Sequence, residues 1–110
     1  MAVYSNITID QGTDYSATID VTDTDGDALN LTGYTAAGQI RKTYTSSTKV
    51  DFTAAIANAS TGQVSLSLTS AVTDAMKAGR YVYDLEVTSG SGTKTRVLEG
   101  QIEVMPGVTR

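Results

Sequence analysis

The sequence predicts an all-β domain, a two-sheet antiparallel sandwich of about seven strands with one short helix. Three observations carry this expectation. Apolar residues alternate with polar ones at period 2 in segment after segment. Clusters of Gly, Asp, Asn and Ser, the residues that make tight turns, separate these segments every ~8–15 residues. One stretch alone shows helical spacing instead. The second architecture compatible with this pattern is a partly open barrel. A chain of 110 residues is long enough to bury one real core, and residues 1–110 read as a single domain.

The elements follow in order. "VYSNITI" opens the chain as a strand, and "QGTD", Gln11–Asp14, is a turn. "YSATIDV" puts Tyr15, Ala17, Ile19 and Val21 on one face of a second strand. "GYTAAGQIRK", Gly33–Lys42, is a third. "TKVDFTAAI", Thr48–Ile56, is a fourth, with Val50 and Phe52 on one face. "GQVSLSLT", Gly62–Thr69, points Val64, Leu66 and Leu68 inward. "RYVYDLEVT", Arg80–Thr88, is the clearest strand, with Tyr81, Tyr83, Leu85 and Val87 on one face. These should form the core with Ile40, Val64 and Leu66. "SGSG", Ser89–Gly92, is a hairpin turn. "TKTRVLEGQIEV" is the last strand, and Gly100 within it marks a bulge or a close backbone approach.

"TSAVTDAMKAG", Thr69–Gly79, breaks the alternation, with Val72 and Met76 four apart. The helix is expected near Val72–Lys77, two turns at most. Thr69 or Ser70 is placed to cap it and Gly79 to end it.

Composition excludes several kinds of chemistry. The chain has no Cys and no His, which removes disulfides, thiolate nucleophiles, Cys/His zinc sites and imidazole bases. A net charge of −4 with no basic stripe argues against a nucleic-acid partner. No basic segment followed by an apolar run marks a signal peptide, and no run approaches the ~20 apolar residues of a membrane helix. A Ser or Thr nucleophile would have to use Lys or a carboxylate as its base. The glycines form no phosphate-cradling loop, so no cofactor is expected.

The densest acidic run is "DVTDTDGDALNLTG", Asp20–Gly33. In a helix–loop–helix calcium loop, Gly26 at position 6 would put Asp25 at 5 and Asp23 at 3, but Val21 at 1 and Thr32 at 12. Two essential ligands are missing, so the run reads as a hairpin tip in which Asp-Gly tolerates the left-handed backbone. A weak surface cation site at Asp23, Asp25 and Asp27 is the other reading.

Tyr81, after Gly79 and two residues before the inward Tyr83, matches the tyrosine corner of immunoglobulin-like sandwiches, where the hydroxyl bonds back to the chain entering the strand. Arg41 and Arg96 are placed to pair with Asp84 or Glu86 across strands, and Tyr44 is the one aromatic near those charges.

Three segments together carry a family resemblance: "NLTGYTAAGQIRK", Asn30–Lys42; "AGRYVYDLEVTS", Ala78–Ser89; and "TRVLEGQIEVMPGVTR", Thr95–Arg110. In this order, after "ITIDQGTDYSATI" and the Asp-rich turn, they resemble small immunoglobulin-like virion structural proteins of tailed phages and prophages. They are similar also to the N-terminal head domain of phage baseplate upper proteins. The resemblance implies an immunoglobulin-like sandwich located in the virion, without enzymatic activity. Its partners would be other virion structural proteins in a symmetric multi-copy assembly, with no nucleic acid and no membrane. Baseplate upper proteins continue past the head domain into helical or fibre segments, so the expectation is an adaptor or decoration subunit. A carbohydrate- or receptor-binding module on the same fold is the alternative.

Overall fold

The computed structural model describes residues 3–22 and 26–107. These residues form two sheets and one helix. The strands are β1 (Val3–Tyr4), β2 (Ile7–Asp10), β3 (Tyr15–Asp20), β4 (Thr35–Arg41), β5 (Lys49–Asp51), β6 (Thr53–Asn58), β7 (Gln63–Leu68), β8 (Gly79–Thr88) and β9 (Lys94–Met105). Helix α1 (Ser70–Ala75) lies between β7 and β8. The larger sheet runs β1-β9-β8-β4-β5, with β2 also on β9, and the smaller runs β3-β7-β6. This is the immunoglobulin arrangement, with β3, β7 and β6 in the places of its strands B, E and D, facing β4, β8 and β9 in those of C, F and G. Among the described residues no helix is long and apolar enough to cross a membrane.

Two of the expected strands are each divided in two. "TKVDFTAAI" changes sheets at Phe52: its N–H bonds Gly38 O at 2.9 Å, and the chain then leaves β4 to pair with β7. Alternation cannot reveal such a crossover, because Phe52 keeps its place in the core on either side of it. "VYSNITI" breaks at Ser5 and Asn6, and both halves run parallel to β9, while the pairs β3–β7, β6–β7, β4–β5, β4–β8 and β8–β9 are antiparallel.

The core sits between the sheets. Ile40, Val64, Leu66, Leu85, Val87 and Ile102 are fully enclosed, and Tyr83 is 3% exposed. Its ring meets Phe52 edge-on, 6.1 Å between centroids. Tyr81 departs from the expected core position and is half-buried at the rim. Its ring carries the Lys42 ammonium 4.7 Å from the centroid, a contact that needs solvent nearby for the charge.

The helix has the expected length but starts two residues earlier, and its caps come from elsewhere. Thr69 occupies the N-cap position but makes no side-chain capping bond. Asp14 Oδ1 accepts from Ser70 N at 2.6 Å instead. Gln11 Nε2 donates to Met76 O at 2.8 Å at the other end. Between them the buried Thr73 hydroxyl donates to Thr13 O at 2.7 Å and accepts from Gly12 N at 3.1 Å. The turn at Gln11–Asp14 thus satisfies both ends of a six-residue helix that could not hold itself.

Candidate functional site

The outward face of the larger sheet gathers the charges that the sequence scattered. Register places Gln39 opposite Asp84 and Arg41 opposite Val82, while Arg96 sits on the neighbouring strand β9. A hollow of about 150 Å³ lies among Gln39, Arg41, Tyr44, Val82, Asp84 and Arg96. Arg96 Nε approaches Asp84 Oδ2 at 3.3 Å, the pairing expected from the sequence. Both side chains are substantially exposed, so the contact is worth no more than about 1 kcal/mol. Arg41 does not share that carboxylate. Its Nη1 donates to Ser46 O at 2.6 Å and its Nη2 to Gln39 Oε1 at 3.1 Å, which locks the guanidinium over the 43–46 turn.

Burial raises the Asp84 carboxyl above its ordinary range even though Arg96 pulls it down; Glu86 and Glu99 add to the rise, and Arg41 opposes it more weakly. The net direction means that desolvation outweighs the ion pair. Tyr44, 72% exposed, stands at the border of the hollow with its ring in solvent. The arrangement offers two guanidiniums, one carboxylate, one amide and one aromatic face. It can recognise polar groups. It offers no nucleophile beside a base.

A second depression, about 470 Å³ and mostly apolar, lies between α1 and β5, with Val50, Val72, Met76 and Tyr81 in its walls and Lys77 at its margin.

The tyrosine corner read from the sequence is formed: Tyr81 Oη donates to Lys77 O at 2.6 Å and ties the link after α1 to the start of β8. Of the acidic turn, Asp23 and Asp25 lie outside the described residues. Asp27 is exposed. The flanks close as a hairpin: Thr22 bridges Ala28, Leu29 N bonds Val21 O at 3.0 Å, and Gly26 takes φ 86°. Arg41, Asp84 and Arg96 were legible as a charge pattern. Tyr44 was legible as the aromatic near those charges, but the hollow it borders with Gln39 was not, because that depends on the turn after β4 folding back over the sheet.

The sequence model of the family described as "LtfC-like, beta-sandwich domain" matches residues 2–105. No curated protein matches. Among solved structures, an internalin-like protein of Listeria monocytogenes is similar at a TM-score of 0.47 and 15% identity, over 96% of this chain and 28% of that one. A family 123 glycoside hydrolase from Clostridium perfringens is similar at a TM-score of 0.44 and 13% identity, over 97% of this chain and 24% of that one. The chain spans about a quarter of the length of those two proteins, and neither likeness bears on function.

Proposed function

The chain belongs to the LtfC-like β-sandwich family, a family of phage domains, and from that membership we propose that it is a non-enzymatic structural subunit of a tailed-phage particle. It would act as an adaptor or decoration protein, attached to other virion proteins in many symmetric copies. The observation that carries this reading is the family match over residues 2–105, nearly the whole of the chain. A rigid sandwich suits the role, since its strand edges and loop ends can meet partners without costly rearrangement. Repetition in a particle multiplies weak contacts, so each copy needs little affinity of its own. Mass spectrometry of purified particles tests the proposal: the protein is expected in the virion at a copy number matching a symmetric ring or shell. Its absence from the particle would overturn it.

One observation favours a second reading, a carbohydrate- or receptor-binding module. The hollow beside Tyr44 combines an exposed ring with Asp84, Gln39 and the two arginines, groups that suit the hydroxyls of a sugar. Binding of free saccharides by the isolated domain, lost on Tyr44→Ala, would favour this reading over the first.

A further inference from the structure

The two sheets have four free edges among the described residues, and three of them carry devices that block pairing. The edge of β5 is three residues long and bears Lys49 and Asp51, bridged at 3.0 Å. The edge of β6 is bulged between Ile56 and Asn58, which turns it out of line. The edge formed by β1 and β2 is interrupted at Ser5 and Asn6. The fourth, β3, is regular over six residues, and its single charge is the last of them, Asp20.

Register fixes what that edge displays. Val21 N donates to Gly62 O at 2.8 Å, which continues the pairing of Ile19 with Val64 and Ala17 with Leu66. Bonded pairs alternate in an antiparallel ladder, so Tyr15, Ala17 and Ile19 spend their backbone groups on β7. Ser16, Thr18 and Asp20 therefore turn theirs outward. On the inward face Tyr15, Ala17 and Ile19 are only half-buried, since among the described residues no strand lies on the far side to cover them.

We propose that this edge pairs with the same edge of a second copy of the chain, antiparallel about a two-fold axis through Thr18. In that register Thr18 faces Thr18, Ser16 faces Asp20 of the second copy, and inside, Ala17 faces Ile19 and Tyr15 faces Val21. Each hydroxyl then meets a hydroxyl or a carboxylate, and the half-buried Ala17 and Ile19 meet each other, while Val21 is already enclosed in its own chain. Moving the axis to Ala17 would set Asp14 against Asp20, which like charge opposes. The two three-stranded sheets become one of six, and the half-exposed inner row is covered. A six-residue strand edge is a small surface beside the ~1,200 Å² of a stable isolated dimer, so the pairing is expected to be weak in dilute solution and to gain strength where copies are held together. The pairing stands on β3 itself and does not depend on the virion assignment.

The chain has no Cys, so a single introduced thiol reports the contact without background. Opposed residues of a bonded antiparallel pair lie ~5.5 Å apart at Cα, within disulfide reach. Under mild oxidation Thr18→Cys is expected to form covalent dimer roughly tenfold faster than Thr53→Cys, an equally exposed position on the bulged β6 edge, because pairing raises the local thiol concentration. Adding Ser16→Pro to the Thr18→Cys chain removes an outward N–H without costing a bond to β7. It should return the rate to the Thr53→Cys level with the melting temperature held within about 2 °C. Equal rates for Thr18→Cys and Thr53→Cys, or a Thr18→Cys rate that Ser16→Pro leaves unchanged, would overturn the pairing.

Discussion

The hydroxyl of Tyr83 donates to the backbone carbonyl of Ser5 at 2.7 Å, joining two residues 78 apart in sequence. The bond passes over Gly100, the partner of Tyr83 across the β8–β9 ladder. A Cβ on Gly100 would collide with the Ser5 carbonyl. The absent side chain lets the N-terminal strand dip toward the core, and Ser5 N bonds Glu99 O at 2.8 Å as it does so. The interruption between β1 and β2, the glycine in β9 and the buried phenol are thus one feature.

Gly100→Ala tests this close approach. The methyl has nowhere to go but into backbone, and a cost of at least about 2 kcal/mol is expected from chemical denaturation, in the range of overpacked cores. A change below about 0.5 kcal/mol would show that the N-terminal strand is free to withdraw.

Tyr83→Phe separates the hydroxyl from the ring. Losing the donor leaves the Ser5 carbonyl with one partner fewer inside the fold, and a loss of about 1–2 kcal/mol is expected. Tyr83→Ala removes the ring packed on Phe52 as well and should cost roughly 3–5 kcal/mol. If both variants cost the same, the ring contributes nothing to packing and the core assignment fails.

Burial pushes the Tyr83 phenol up from 10.0 to about 12; the hydrogen bond to Ser5 opposes the rise, and Tyr15 and Tyr4 nearby add to it. The unfolded chain ionises this group near its ordinary value, and the folded chain holds the proton longer. Stability from this group is therefore complete below about pH 10 and is lost as pH rises toward about 12. Unfolding midpoints measured at intervals across that window should fall, and the fall should be smaller in Tyr83→Phe. An identical alkaline decline in the variant would assign it to other groups.

The acidic turn is expected to act as a turn. Calcium stabilises a fold only when it binds the native state well below its working concentration. The melting temperature should be the same in millimolar calcium and in excess chelator. A rise of several degrees with calcium, abolished by Asp25→Asn, would make Asp23, Asp25 and Asp27 ligands.

The sequence by itself determined the class of fold and most of the core. Period-2 alternation in β7 and β8 identifies Val64, Leu66, Tyr83, Leu85 and Val87 as inward, and all five are buried, because the pleat sends alternate side chains to opposite faces whatever the strand pairs with. Tyr81 was readable as a corner for a similar reason: its partner, Lys77, lies four residues away. The Arg96–Asp84 contact was readable as a cross-strand possibility, and register decided that Arg41 would go elsewhere. Tertiary structure alone decided the rest. Nothing in "VYSNITI" says that it runs parallel to β9, or that it breaks to meet Tyr83. Nothing near Ser70 says that Asp14 will cap its helix from 56 residues away. The crossover at Phe52, the hollow beside Tyr44 and the uncovered edge of β3 share that origin. Side-chain alternation records which face of a strand is inward. Which strand lies alongside, and in which direction, is settled by backbone pairing between distant segments, and the local pattern is the same for every choice of neighbour.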